Sequence, residues 1–342
     1  MPKMRFGVTR YGEGVIPQAD FTRLVEDIGF DLVGYGDTQN MIPDCYVVMT
    51  AMAQATQKVL IGQTVSNPVT RHPAVTASAM SALQEVSNGR AFFGIGTGDS
   101  GVINIGLRPA RMAELEEYCL AVRDLCDGKE ASYHGHKTKL QFKPRRVPIW
   151  IAAEGPRMQH LAGRIADGVI FANGITEEVV KDNLRRVREG ALSVGRDPDA
   201  IQCWFLAKPY FCESERQAWT DLAWTLSATA NHAFRFSFEG KFVPKQYEPG
   251  LKRLMQGYAS HQHNVQGAAS NNSRIVIENN LTEFLGPRFL MAGTAERIRE
   301  RMRELASWGA TNLILNILFG EPVEYAKRIA RDIINPLRAE GL

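Results

Sequence analysis

Polar residues crowd the stretch that follows the apolar run at 58–63. Thr64, Ser66 and Asn67 come directly after the run, and Arg71 follows shortly afterwards. Hydroxyl, amide and guanidinium groups in such a connection either bind a ligand or fix the backbone of the loop. The stretch is therefore a candidate binding loop, with an ordinary polar turn into the next helix as the alternative.

A glycine-rich stretch, GIGTGDSG at 94–101, follows another apolar run. Its glycines allow the backbone to approach a ligand closely, and Thr97, Asp99 and Ser100 place polar groups beside Gly98. No GK[ST] follows, so the stretch is not a nucleotide-binding P-loop. A tight structural turn would explain the same glycines and remains open.

Two further junctions have the features of a phosphate site. Gly155 and Pro156 lie where a helix begins after one apolar run, and Asn173 and Gly174 follow the next run. Free backbone N–H groups and the positive end of the helix dipole suit such a junction to an anion. We expect the two junctions to form one phosphate site, although any strand-to-helix junction offers similar amides.

The sequence lacks the signatures of a self-sufficient catalytic centre. It contains no GxSxG, HExxH or CxxC pattern, and its 5 cysteines are widely spaced. His261 and His263 have a possible metal-ligand spacing but no evident carboxylate or cysteine partner, so no metal site is predicted. Asp37 follows GYG, where a flat ligand could approach, but a capping or salt-bridged Asp would look the same. The chemistry is therefore expected to come from a bound cofactor.

Eight apolar runs, each followed by a helical pattern, must position these residues. Such continuous runs are typical of parallel strands buried on both faces. Eight strand–helix units favour an α/β protein with a closed, TIM-like (β/α)8 barrel; the alternative, an open doubly wound sheet, lacks a GxGxxG after the first run. In a barrel the polar stretches would all lie at the carboxyl ends of the strands. The runs are 5–9, 31–37, 58–63, 91–96, 148–154, 167–173, 201–211 and 311–320.

The repeat is interrupted between units seven and eight. Residues 230–288 are rich in Asn, Gln, Ser and Gly and are too long for a simple loop. We predict a single domain over residues 1–342, with 230–288 as the largest of its insertions, near the barrel mouth. Aromatic residues of the insertion could line an apolar substrate pocket or form the insertion's own core, and both interpretations stay open. They are Phe234, Phe236, Phe238, Tyr247 and Tyr258.

Composition and charge argue against several classes of partner. The 342 residues carry a formal net charge of +3, which does not suggest binding to nucleic acid or to a membrane. No apolar run approaches the roughly 20 residues needed to span a bilayer, and the first residues show no signal-peptide pattern. We predict a cytoplasmic protein that acts on a small-molecule substrate.

The stretch at 66–101 resembles the bacterial luciferase-like superfamily of flavin and deazaflavin enzymes. The run SNPVTRHPAVTASA, followed by VSNGR and GIGTGD, is similar to the branch that includes methylenetetrahydromethanopterin reductases. The resemblance covers the first six units, resumes at AGTAERIRERMRELASWG and is weak over 230–288. It implies a TIM-like barrel with insertions that binds FMN or F420 at its C-terminal mouth, in a homodimer or homotetramer.

The resemblance also implies roles for individual residues. A non-prolyl cis peptide beneath the cofactor ring would fall at Thr64–Val65 or one bond away. The residues expected around the ring are Thr64, Val65, Ser66, Asn67, Thr97 and Gly98. Those expected at the cofactor phosphate are Gly155, Pro156, Asn173 and Gly174. The candidates for catalytic proton transfer are Asp37, Asp99 and Glu154.

FMN and F420 imply different reactions within this superfamily. Reduced FMN reacts with O₂, whereas F420 has carbon in place of the flavin N5 and passes hydrides. From GIGTGDS and the long insertion we predict a reduced-FMN-using monooxygenase of a two-component system, which would need O₂ and a separate flavin reductase. The alternatives are an F420-dependent reductase or dehydrogenase and a non-catalytic flavin-binding protein.

Overall fold

The structure, a computed structural model, describes residues 3–10, 14–259, 262, 265, 267 and 270–342. His261 and His263 lie outside the described residues. The strands are β1 (Arg5–Thr9), β2 (Leu32–Tyr35), β3 (Leu60–Gln63), β4 (Ala91–Ile95), β5 (Ala131–Tyr133), β6 (His136–Thr138), β7 (Ile149–Ala152), β8 (Gly168–Phe171), β9 (Gln202–Phe211), β10 (Leu290–Gly293) and β11 (Asn312–Asn316).

Helices follow most of the strands. They are α1 (Val15–Asp27), α2 (Cys45–Ala55), α3 (Pro73–Val86), α4 (Ser100–Ile103), α5 (Met112–Cys126), α6 (Pro156–Ile165), α7 (Glu177–Leu192), α8 (Glu215–Asp221), α9 (Ala223–Phe234), α10 (Glu248–Gly257), α11 (Asn271–Glu278), α12 (Thr282–Phe289), α13 (Ala295–Ser307), α14 (Pro322–Ile329) and α15 (Asn335–Ala339). Among the described residues, no helix is long and apolar enough to cross a bilayer.

Eight parallel strands close into a barrel. The hydrogen-bonded order is β9, β11, β1, β2, β3, β4, β7 and β8, and β8 pairs back onto β9. These eight strands are the eight apolar runs of the sequence, so the predicted (β/α)8 barrel is confirmed. The open-sheet alternative is excluded by the pairing of β8 with β9.

Large side chains fill the barrel lumen below its mouth. Trp150 stacks on Phe92 with 4.0 Å between the ring centroids and lies 5.8 Å from the ring of Trp204. Aliphatic residues of β2, β8 and β11 complete this buried cluster. The polar residues at the carboxyl ends of the strands therefore lie above a solid apolar floor, as is usual for this fold.

Strand β9 is long enough to serve two sheets. Its first half pairs with β8 and β11 in the barrel, and its second half, Lys208 to Phe211, pairs in parallel with β10. Strand β10 is not evident in the sequence, because its four residues are too few to separate from the end of helix α12. The second half of β9 therefore extends past the barrel pairing at the mouth.

Helices α8 to α12 form a helical segment (215–289) between β9 and β10 that has its own hydrophobic core. It contains the predicted insertion at 230–288. Phe234 is fully buried in this core, and Tyr247 stacks on Phe284 at 5.1 Å. Phe238 and Tyr258 also pack against it, whereas Phe236 is 72% exposed. Four of the five aromatic residues therefore take part in the core of the helical segment.

Replacing Gly94 with Ala should destabilise the barrel. A Cβ atom built on Gly94 in β4 would lie 1.9 Å from the backbone oxygen of Gln63 in β3, a clash with backbone that cannot rotate away. We expect Gly94→Ala to lower the free energy of unfolding by about 2 kcal/mol or more. Gly14→Ala is the control, because its Cβ would meet nothing closer than 3.5 Å. Urea unfolding measures both; equal stability of the two variants would contradict this packing.

Candidate active site

The chain beyond β3 makes a non-prolyl cis peptide bond at Thr64–Val65. This is the position that the family resemblance implied, so that expectation is confirmed. The hydroxyl oxygens of Thr64 and Thr9 lie 3.1 Å apart, and the backbone N–H of Thr64 donates to the oxygen of Tyr35 at 2.8 Å. Gly34 leaves room for this turn, since a Cβ there would lie 2.3 Å from the Thr64 methyl group.

Ser66 ties the same loop to two other strands. Its backbone N–H donates to Gly94 at 2.8 Å, and its backbone oxygen accepts from Gly96 at 3.0 Å. Its hydroxyl donates to the Asp37 carboxylate, which follows β2, at 2.6 Å. Asp37 is buried, and its carboxylate holds this loop in place. This structural role explains the residue without proton transfer.

Asn67 and Arg71 hold the remainder of the loop. The side-chain oxygen of Asn67 accepts from the backbone N–H groups of Val69 and Thr70, both at 2.9 Å. Arg71 forms an ion pair with Asp44, the N-cap residue of α2. The polar residues that drew attention in the sequence thus fix the backbone beside the barrel mouth, and Asn67 uses its side-chain oxygen in that role.

A histidine of the helical segment joins two of the three predicted carboxylates. His232, on α9, places Nδ1 3.2 Å from Asp99, which follows β4, and Nε2 2.9 Å from Glu154, which follows β7. Arg235 forms an ion pair with the other oxygen of Asp99. Both nitrogen atoms of His232 lie within ion-pair distance of a carboxylate oxygen. The attraction is therefore mainly that of opposite charges.

This cluster fixes the protonation of its members. The charge of Glu154 outweighs partial burial and, with Asp99, raises the pKa of His232 to about 10. Burial alone would raise the pKa values of both carboxyl groups, but the positive charges of His232 and Arg235 hold them below their ordinary range. His232 is thus an imidazolium between two carboxylates at neutral pH, with 41% of its side chain exposed at the barrel mouth.

The predicted phosphate junction lies next to this cluster. Gly155 caps α6 without a side-chain hydrogen bond, and Pro156 is the first helical residue, so no side chain of the described residues caps the N–H groups of the first turn. The side chain of Lys241 lies beside this junction. A Cβ atom built on Gly155 would be 4.0 Å from Cε of Lys241. Lys241 is buried, and its ammonium group donates to the backbone oxygen of Ala233 at 2.6 Å.

In the second half of the predicted phosphate site, the polar groups of Asn173 are already hydrogen-bonded to other side chains. The side-chain amide of Asn173 exchanges hydrogen bonds with Asn183, at 3.0 and 2.8 Å. Its backbone oxygen accepts from Nε of Arg288 at 2.8 Å, and Gly174 packs against the same arginine. Arg288 is 1% exposed, and its Nη2 has no hydrogen-bonding partner among the described residues. The junction therefore offers a guanidinium in addition to the amides that the sequence predicted.

Sequence reasoning missed the cationic side of this site. It singled out Asp99 and Glu154 but not His232 or Arg235, and it predicted amide donors but not Lys241. All three come from the helical segment. Two clues were present, a histidine and an arginine in the aromatic run HAFRF, but nothing in the sequence assigns them partners at β4 and β7.

The charge of His232 can be measured directly. Its imidazole should remain protonated up to pH 8 in the ¹H–¹⁵N spectrum, because its pKa is raised to about 10. Glu154→Gln should lower that pKa by at least about one unit, and Glu324→Gln, on the outer helix α14, should leave it unchanged. Because folding raises the pKa of His232, protonation of its imidazole stabilises the folded state. This stabilisation is complete below the ordinary histidine pKa and is lost as pH rises through about 10. A neutral His232 at pH 7 would contradict the cluster.

Comparison with known proteins places these features in a family. A model of the luciferase-like monooxygenase family matches residues 5–312. The chain is 28% identical to 5,10-methylenetetrahydromethanopterin reductase of Methanolobus tindarius, over 97% of this chain and 100% of that one. It is 31% identical to an F420-dependent glucose-6-phosphate dehydrogenase of Nakamurella multipartita, over 64% of this chain and 71% of the relative.

A solved structure has the same fold. The coenzyme F420-dependent tetrahydromethanopterin reductase of Methanopyrus kandleri superposes with a TM-score of 0.76, covering 98% of this chain and 99% of that one at 22% identity. The match of the family model over residues 5–312 shows that the chain belongs to the luciferase-like monooxygenase family, and its reductase and dehydrogenase relatives make it an oxidoreductase.

Proposed function

We propose that the protein is an F420-dependent oxidoreductase that transfers a hydride between F420 and a small organic substrate. This proposal rests on similarity to a methylenetetrahydromethanopterin reductase, which extends along nearly the whole chain. An F420-dependent dehydrogenase is similar at a slightly higher identity over a shorter stretch. The reduced-FMN monooxygenase predicted from the sequence has the family name in its favour, whereas the relatives named above are reductases and dehydrogenases. F420, the alternative cofactor predicted from the sequence, is therefore better supported than FMN.

The barrel mouth fits a cofactor that carries a phosphate. Lys241 and Arg288 are both buried, and no carboxylate of the described residues lies within ion-pair distance of either. An unpaired buried cation is costly, and an anion bound at the α6 N-terminus would remove that cost. The predicted residues Gly155, Pro156 and Gly174 supply close backbone around this position, which supports the proposed phosphate site.

When bound, F420 would supply the carbon that gives or accepts a hydride. The loop at 64–67 would support the ring from the β3 side, since hydrogen bonds to β2 and β4 fix its backbone. Thr97 and Gly98 lie beside that loop, where a Cβ on Gly98 would contact Asn67 at 3.4 Å. These residues position a ligand, and none of them needs to change its protonation.

Proton transfer falls to the charged cluster. His232 carries its proton at neutral pH and is partly exposed at the mouth, so it can donate to a substrate oxygen during reduction. Asp99 and Glu154 would stabilise the imidazolium before transfer, and in the opposite direction the deprotonated imidazole of His232 would take the proton back from the substrate hydroxyl. The proposed roles of Asp99 and Glu154 therefore depend on His232, whereas Asp37 would act on the loop through Ser66.

Lys241→Met should weaken F420 binding. Removing a buried charge that pairs with a phosphate is expected to cost about 1.5 to 3 kcal/mol, or at least about tenfold in Kd. The control is Lys245→Met, an exposed lysine of the same helical segment. Fluorescence titration of F420 against wild type and both variants measures the effect, with thermal melting to confirm folding.

Two outcomes of that titration would count against the proposal. Equal affinity of Lys241→Met and wild type would remove the phosphate site from this junction. A wild-type chain that does not bind F420 would contradict the proposed cofactor itself.

A further inference from the structure

Strand β9 places a lysine at the barrel mouth. Trp204 and Leu206 of this strand belong to the lumen cluster, so by the alternation of a strand the next side chain on that face is Lys208. Lys208 lies at the carboxyl end of the barrel part of β9, above the tryptophan floor. A lysine here is unusual, because the surrounding strand is apolar and the side chain is only 5% exposed.

The partners of Lys208 are two hydroxyl groups. Its ammonium nitrogen donates to Thr225 at 3.0 Å and also to Thr229, and both threonines lie on α9. Thr229 in turn donates its own proton to the backbone oxygen of Thr225 at 2.8 Å, so it faces Lys208 as an acceptor. Thr225 is buried, but Thr229 is partly exposed at the mouth. The amine of Lys208 therefore lies directly beneath a residue that reaches the surface.

Within the described part of the chain, no charged side chain balances Lys208. Strands β8, β10 and β11, which flank β9, carry no titratable residue, and β9 itself has only Cys203 and Tyr210 besides the lysine. On α9 the titratable residue is His232, which is held by Asp99 and Glu154. Burial alone acts on the amine and lowers the pKa of Lys208 to about 7. The described residues thus hold a cation-forming group here without supplying a counterion.

Lys208 is separate from the proposed phosphate site. The charges that act on Lys241 are those of Glu154, Arg288 and Arg235, and Lys208 is not among them. If the cofactor phosphate takes Lys241 and Arg288, the amine of Lys208 remains as a separate group on the β9 side of the mouth. It has no anionic partner among the described residues.

We propose that Lys208 binds an anionic group of the substrate, a carboxylate or a phosphate, and so selects small organic acids or phosphate esters. This rests on the proposed function, since it assigns a substrate class to that same site. Thr229 and His232 are three residues apart on one face of α9, about 4.5 Å along the helix axis. The reacting hydroxyl or carbonyl, beside His232, would therefore be only a few bonds from the anion.

The proposal predicts that anion binding takes up a proton. With a pKa of about 7, Lys208 is about half protonated at pH 7, and an anion that pairs with it completes the protonation. Affinity should therefore be highest below pH 7 and should fall by up to tenfold per pH unit above it. Oxalate is a suitable probe, because it remains a dianion throughout this range, and inorganic phosphate at fixed pH distinguishes the two anion classes.

The test is isothermal titration of oxalate into the F420-saturated protein at pH 7 in two buffers of different ionisation enthalpy. Wild type should bind oxalate with uptake of about half a proton. Lys208→Met should bind at least tenfold more weakly, without uptake. Lys208→Arg should keep binding but lose the uptake, and Lys181→Met, a surface variant on α7, should match wild type. Thermal melting checks that each variant is folded.

The results separate this inference from the proposed function. Wild-type affinity and proton uptake in Lys208→Met, or no binding of oxalate or phosphate by wild type, would overturn the anion site while F420 binding stands. If F420 does not bind, the same titration is run on the protein without cofactor in a Lys241→Met background. A Lys208-dependent oxalate site there would support the anion site although the proposed cofactor has failed.

Discussion

The attraction between His232 and two carboxylates is the contact on which the rest of the site depends. Asp99 and Glu154 follow different barrel strands, and His232 comes from a helix that is inserted much later in the chain. Without this imidazolium, two carboxylates would face each other across the mouth and repel. With it, α9 is held on the barrel, and Lys241 and Arg235 are brought along by the same helical segment. The clamp therefore orders both the proposed proton donor and the proposed phosphate site.

Charge is distributed unevenly around the mouth. On the β4 and β7 side, the carboxylates are neutralised by His232 and Arg235. Beyond them Lys241, Arg288 and Lys208 have no carboxylate partner among the described residues. A buried cation is normally paired, because its desolvation is expensive. An anionic cofactor and an anionic substrate would restore that pairing, which is why the two proposals concern separate positions at the barrel mouth.

The sequence predicted the scaffold well because the physical signal was local. Parallel strands buried on both faces give continuous apolar runs, and the turns after them need polar or glycine residues, so Asp37, Asn67 and Gly155 could be placed at the correct end of the barrel. The signal failed where partners are distant. His232 lies in a run of aromatic residues and meets Asp99 and Glu154 only through the fold, and β10 is too short to show a period. Lys208 was detectable, since a lone lysine in the apolar run IQCWFLAKPYF breaks its pattern.

Discrimination between F420 and FMN tests the account most directly. Both cofactors carry a phosphate and a related ring, so the phosphate site alone does not separate them. The measurement is anaerobic equilibrium titration of the purified chain with F420 and with FMN, side by side and under the same conditions. The account predicts that F420 binds at least tenfold more tightly than FMN. Equal or tighter binding of FMN would contradict the proposed use of F420. It would instead favour the reduced-FMN monooxygenase predicted from the sequence.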